Sequence, residues 1–169
     1  SNEVSIGWQY MDPNNSRKDY DKAYQHNYYG YQLGEPEGAS NIGMLYEYGW
    51  GVNKSLNEAE RWYKIAMENS HHSAQAEIAI LRLYLVYRFK AFDITKIDDM
   101  FIQAQSNSQN PGWKQDRPRY ERELHELNLQ YQKLKNEITS STNNSVSTKS
   151  DKIETKPSNS NSYDNNGKK

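Results

Sequence analysis

The feature of this sequence that most restricts its fold is an internal period of 36 residues. Small residues recur at this offset, and a small residue at the same place in successive units lets two helices approach closely. A unit of about this length holds two helices and a turn, so the period predicts an α-helical repeat. The matched pairs are Ala23 with Ala59, Gly30 with Ala66, Gly43 with Ala79, Ile6 with Ile42, Ile42 with Ile78, Leu45 with Leu81, Gly7 with Gly43, Tyr10 with Tyr46, Met44 with Ile80 and Tyr48 with Tyr84.

The best-marked unit covers residues 38–70 and reads as two helices joined by a glycine-rich turn. Ser55 followed by Glu58 is the pattern of a capping box, in which each side chain accepts from a free amide at the helix start. Gly49 and Gly51 suit the turn because glycine tolerates positive φ. Four residues of the second helix lie at the i, i+3, i+4 and i+7 positions of one helix face, and we expect them to face the core. They are Ala59, Trp62, Tyr63 and Ala66.

Further helices are predicted on both sides of this unit. Val4–Tyr10 and Asp19–Gly34 are expected to form an earlier, degraded unit. The apolar run in His72–Arg88 is typical of a helix buried on most sides, and Thr95–Ser106 is its expected partner. The helical repeat domain is therefore predicted over residues 1–109.

After the helix-breaking segment Asn110-Pro111-Gly112, residues 110–139 are predicted to hold an amphipathic helix of a different kind. Its apolar residues alternate at spacings of four and three, the pattern of a cap or a short coiled coil. A helical repeat has to cover its open end, which favours a C-terminal capping helix. The apolar residues are Tyr120, Leu124, Leu127, Tyr131, Leu134 and Ile138.

Residues 140–169 are predicted to be a disordered tail. Ser, Thr, Asn, Lys and Asp dominate this segment, and Val146 and Ile153 are its aliphatic residues. Such a composition buries too little apolar surface to offset the entropy lost on ordering.

Residues 38–70 resemble a Sel-one-like repeat, a relative of the tetratricopeptide repeat. The resemblance rests on a Gly and a Leu-Tyr pair in the first helix, a Gly-x-Gly-Val turn, and an aromatic pair between two alanines. It implies an all-α fold, a right-handed superhelix of antiparallel helix pairs whose first helices line a concave face. The residues are Gly43, Leu45, Tyr46, Gly49, Gly51, Val52, Ala59, Trp62, Tyr63 and Ala66.

The resemblance also implies a function. Members of this family look like adaptors in protein complexes, so the expected function is a non-catalytic module that binds a partner protein. An alternative is a periplasmic immunity protein that neutralises a lipase-like effector of type VI secretion. Many bacterial members are exported, which favours a periplasmic or secreted location, with the cytoplasm as the alternative. The chain begins with Ser1, which fits removal of a signal peptide or excision from a longer chain.

Composition argues against several other classes of partner. The formal net charge of −1 provides no basic field for nucleic acid or anionic lipid. Cysteine is absent, which excludes disulfides and thiolate metal sites. The sequence has no apolar run of the length that a transmembrane helix needs.

No catalytic or cofactor motif is found in the sequence. It lacks a nucleophile elbow, a phosphate-binding loop before a helix, and the paired histidines of a zinc protease. His71 and His72 are adjacent, and neighbouring side chains rarely chelate one ion. We therefore expect no metal, no cofactor and no enzymatic activity, with a hydrolase as a second alternative.

The candidate partner-binding residues lie on the first helices, away from the small residues that pack the repeats. Aromatic and methionine side chains are typical of partner-binding surfaces, and two polar residues in the same register would add specificity. Trp50, at the tip of the turn, is either tucked under a neighbour or offered to a partner. The predicted partner-binding residues are Asn41, Met44, Tyr48, Glu77, Ile80, Tyr84 and Tyr87.

Overall fold

The computed structural model describes residues 2–69, 74–109 and 115–150. These residues form seven α-helices and no β-strand. The predicted all-α fold is confirmed for this part of the chain. The helices are α1 (Asn2–Met11), α2 (Tyr20–Gln32), α3 (Pro36–Tyr48), α4 (Leu56–Asn69), α5 (Ala74–Leu85), α6 (Ile94–Ser108) and α7 (Arg117–Ser150).

The first six helices form three consecutive pairs, α1 with α2, α3 with α4, and α5 with α6. Each helix also packs on the next one along the chain, so the pairs stack as an α-solenoid. Each of the six predicted helices is present, with ends that differ by a few residues from those expected.

The chain divides into two compact units after Gln132, within α7. In the second unit, the described residues are the end of α7, which runs to Ser150. The helix therefore continues past residue 139, where the composition predicts the tail to begin. Residues 151–169 of that predicted tail lie outside the described part, as does the predicted breaker at residues 110–112.

The core contains the residues that recur in the 36-residue period. Ile42 and Leu45 of α3, and their counterparts Ile78 and Leu81 of α5, are all buried. The predicted burial of Trp62 and Tyr63 is also observed, and they join one cluster with the small residues of α3, α4 and α5. The small residues of that cluster are Ala39, Ala59, Ala66, Ala76 and Ala79.

A glycine of the first helix receives a large side chain of the second helix in two of the pairs. A Cβ atom on Gly43 would lie 2.6 Å from the ring of Tyr63, which is closer than packed atoms approach. In the first pair, a Cβ atom on Gly7 would lie 2.5 Å from the side chain of Asn27. Gly7 and Gly43 are one period apart, as are Asn27 and Tyr63. The period therefore conserves a space, while the residue that fills it differs between units.

The turn between α3 and α4 has the conformation that its glycines predict. Gly49 (φ 68°) and Gly51 (φ 71°) both have left-handed backbones. The helix that follows is capped at one atom, since Ser55 Oγ accepts from the Glu58 N–H at 3.2 Å. The other half of the predicted capping box, a hydrogen bond from the Ser55 N–H to the Glu58 carboxylate, is wrong. The Ser55 N–H donates to the Tyr46 carbonyl, and the Glu58 carboxylate pairs with Arg61.

A buried ion pair joins the second helix pair to the third. Glu47 of α3 is fully buried and accepts two hydrogen bonds from the guanidinium of Arg82 on α5, at 2.8 and 2.7 Å. The hydroxyls of Tyr63 and Tyr87 also donate to it, at 2.8 and 3.2 Å. Burial alone would lower the pKa of Arg82, but its hydrogen bonds with Glu47 and the charge of Glu47 raise it. Arg82 therefore remains charged in the folded protein.

We expect Glu47→Gln to lower the free energy of unfolding by about 3 kcal/mol, because it leaves the largely buried guanidinium of Arg82, which is 22% exposed, without a counter-charge. The matched control is Glu58→Gln, which removes the exposed pair with Arg61, whose side chains are 39% and 56% exposed. Exposed pairs contribute about 0–1 kcal/mol. Urea denaturation followed by circular dichroism measures both variants. Equal losses in the two variants would contradict the assigned role of Glu47.

Candidate partner-binding surface

The start of α7 lies beside the helices that were predicted to line the concave face. Tyr120 and Arg119 share a cavity of about 490 Å³ with Trp8 of α1, Asn41 of α3 and Gln75 of α5. A second space of about 90 Å³ is enclosed by α3, α5 and α7. We call the surface formed by α1, α3 and α5 the first-helix face. The predicted capping helix therefore covers part of the predicted partner surface.

The same helix is attached to α6 further along its length. The ring of Tyr131 stacks on Phe101 with centroids 5.5 Å apart. Its hydroxyl donates to Asp98 Oδ1 at 2.8 Å and lies 3.0 Å from the Ile94 carbonyl oxygen. Tyr120, Leu124, Leu127 and Tyr131 are all buried, so the predicted apolar side of this helix is the packed side.

Two of the seven predicted partner-binding residues, Ile80 and Asn41, are almost fully buried. Ile80 belongs to the core cluster of α3, α4 and α5. Asn41 is 3% exposed, and its amide donates to Asn27 Oδ1 at 2.8 Å. Asn27 in turn donates to the Ala23 carbonyl at 2.8 Å. Asn41 therefore joins α3 to α2 through a buried amide pair.

Three others hold internal hydrogen bonds with their polar atoms. Glu77 Oε1 accepts from the Asn107 amide at 2.6 Å. The Tyr84 hydroxyl donates to Glu60 at 2.5 Å, and the Tyr87 hydroxyl donates to Glu47. Each of these hydrogen bonds joins adjacent helices or adjacent helix pairs. The polar atoms of Glu77, Tyr84 and Tyr87 therefore hold parts of the repeat to one another.

The remaining two, Met44 and Tyr48, border the space next to α7 together with Glu123. Met44 is half-buried, and Tyr48 is 42% exposed. The Tyr48 ring stacks on Trp50 with centroids 4.8 Å apart, and Trp50 stacks on Tyr20 at 5.6 Å. We call Tyr20, Tyr48 and Trp50 the aromatic stack. It leaves Tyr48 available to solvent at the edge of the first-helix face.

The stack decides how Trp50 is placed. The Trp50 ring is half-buried between two tyrosines, so one part of it packs on neighbours and another part is accessible to a partner. Tyr20 was not among the residues predicted from the sequence, since it precedes Trp50 by 30 residues and belongs to another unit. Gly51 was the signal in the sequence for a close contact at this turn. A Cβ atom on Gly51 would lie 2.5 Å from Tyr20 Cβ.

Neither a metal site nor a membrane span is found in the described ranges. No group of three or more His, Cys, Asp or Glu side chains there is placed to hold a metal ion. No helix in those ranges is both long and apolar enough to cross a bilayer. His71 and His72 lie outside them.

The helix arrangement resembles a solved structure, the crystal structure of a Sel1 repeat protein from Oxalobacter formigenes. The two chains are 21% identical with a TM-score of 0.52, and the likeness covers 62% of this chain. It covers 42% of the other protein, so this chain spans less than half of that length. No protein-family model and no curated protein matches the sequence. The likeness shows the fold, a Sel1-like helical repeat.

Glu77 provides a test of the packing at this surface. Burial raises the pKa of its carboxyl group above the ordinary value, although the Asn107 hydrogen bond opposes the shift. A carboxyl with a raised folded-state pKa stabilises the fold below its unfolded pKa and loses that contribution as the pH rises. We therefore expect Glu77→Gln to be more stable than wild type near pH 7. The difference should shrink as the pH falls towards 4, as urea denaturation at both pH values would show.

Glu60→Gln is the control, for which the expected change in stability has the opposite sign. Burial raises the pKa of Glu60, but hydrogen bonds from Lys90 and Tyr84 outweigh it and leave the pKa lowered. The stability that Glu60 contributes is present above its unfolded pKa and is lost as the pH falls. Glu60→Gln should therefore be less stable than wild type near pH 7. If both variants shift in the same direction, the hydrogen bonds from Lys90 and Tyr84 do not distinguish Glu60 from Glu77.

Proposed function

We propose that the chain is a non-catalytic interaction module that binds a partner protein at the edge of the first-helix face. The observation that carries the proposal is the aromatic stack. Tyrosine and tryptophan are enriched among the residues that dominate binding energy in protein interfaces. A stacked ring loses little conformational freedom on binding, because its neighbours already hold it in place.

The position of α7 narrows the proposed contact. Met44 is half-buried beside α7, whereas Tyr48, which borders the same space, is 42% exposed. Lys54, three residues after Gly51 of the same turn, lies 5.1 Å above the ring of Tyr87, which places a positive charge at this turn. A partner with an apolar centre and an acidic margin would match this surface.

Photo-crosslinking tests the proposal with the intact chain. A benzophenone amino acid replaces Tyr48 in one variant and Tyr29 in a matched control. Tyr29 is 51% exposed and lies on α2, away from the aromatic stack. We expect position 48 to crosslink a protein that position 29 does not, after illumination in an extract of the source cells. Mass spectrometry identifies the product.

Competition defines the surface. Excess wild-type chain should abolish the crosslink, whereas excess Tyr48→Ala/Trp50→Ala chain should compete at least about tenfold less well, since an interface hot spot contributes about 2 kcal/mol or more. Circular dichroism checks that the double variant keeps its helices. Tyr84 is unsuitable for truncation because its hydroxyl binds Glu60. Identical products from positions 48 and 29, or equal competition by both chains, would refute the proposal.

The narrower predictions made from the sequence, a periplasmic location and an immunity role, stay predictions. The identity of the crosslinked partner would test the immunity role, because that role requires that the partner be a toxic effector.

A further inference from the structure

A second concave site lies between α4, α5 and α6. It is a groove with a volume of about 470 Å³, which falls in the range of about 300–1,000 Å³ typical of small-molecule sites. We call it the α6 groove. Its apolar walls come from three helices and the segment before α6. The apolar lining residues are Met67, Ile80, Phe92, Ile97 and Met100.

The walls of the α6 groove contain little unsatisfied polarity. The Tyr84 hydroxyl donates to Glu60, and Ile80 and Ile97 are fully buried in the floor. Met67 and Met100 are half-buried and pack on the core cluster. Methionine adapts its shape to an apolar ligand at low energetic cost, so these walls suit a flexible hydrocarbon chain.

The rim of the groove carries an excess of positive charge. Lys64 and Lys96 both border the opening, and Asp93 is the acidic residue among the lining side chains. The Asp93 carboxylate caps α6 by accepting from the Thr95 N–H at 2.9 Å. Lys96 makes no ion pair with any described residue. Lys64 lies 3.6 Å from Glu60, which Lys90 approaches more closely, at 2.8 Å.

We propose that the α6 groove binds a single-chain carboxylate amphiphile, such as a fatty acid. The hydrocarbon chain lies against the methionine and isoleucine walls, and the carboxylate lies at the rim within reach of Lys96 and Lys64. Apolar walls with a few placed charged groups are what orient an amphiphile in a protein site. The groove lies on a different side of α6 from the one that Tyr131 contacts, so the part of α7 from Arg117 to Gln132 does not fill it.

Isothermal titration calorimetry of the full chain with octanoate, decanoate and dodecanoate tests the proposal below their micelle concentrations. Affinity should rise by up to about fourfold per methylene as apolar surface is buried. Dodecyltrimethylammonium, which has the same chain and the opposite charge, should bind at least tenfold more weakly than dodecanoate. Absence of dodecanoate binding, or equal binding of the two detergents, would overturn the proposal.

Two variants locate the site. Lys96→Glu should weaken dodecanoate binding at least tenfold, whereas Lys18→Glu, the same charge change in the exposed segment between α1 and α2, should alter it less than twofold. Met100→Trp fills the groove without changing its charge and should abolish binding. Circular dichroism confirms that each variant is folded. Equal effects of the two lysine substitutions, or full binding by a folded Met100→Trp chain, would place the ligand elsewhere and refute the site.

Discussion

The ion pair between Glu47 and Arg82 is the interaction on which the stacking of the second and third helix pairs depends. A carboxylate without solvent contact is tolerated only when charge and hydrogen bonds replace its lost hydration. Here a guanidinium from the next unit and two tyrosine hydroxyls supply that replacement. The partners of Glu47 come from two further helices, α4 and α5, and from the turn after α5. The arrangement of these elements is therefore fixed by one charge, beyond what the alanine-rich packing alone would specify.

The sequence predicted the helices because its strongest signals are local or periodic. Small residues at one offset give the unit length, and Gly49, Gly51 and Ser55 mark the turn and the following helix. It did not predict the Glu47–Arg82 pair, because two charged residues 35 positions apart carry no local sign of contact. The amphipathic pattern of α7 predicts which of its sides is packed. It does not specify the surface that receives that side, which depends on how the earlier helices are arranged.

The predicted partner surface also combines features that the sequence predicts with features that depend on the folded arrangement. Its residues were chosen by register on the first helices, and register alone does not distinguish a solvent-facing side chain from one that joins two helices. Asn41 and Glu77 were selected as polar recognition residues, yet their amide and carboxyl groups bind Asn27 and Asn107. Tyr48, the last residue of α3, remains 42% exposed at the edge of the first-helix face. The α6 groove was not anticipated, since its walls come from three helices.

The buried amide pair of Asn27 and Asn41 has a consequence for how such a chain can evolve. Repeat arrays commonly grow by tandem duplication, which works when any unit can follow any other. A duplicated α3–α4 segment would place Tyr63, the counterpart of Asn27, opposite a copied Asn41. The copied amide would lose its partner, at a cost of about 1–3 kcal/mol. Glu47 would likewise meet Tyr46 in place of Arg82. The polar contacts at these two junctions thus set the order of the three units.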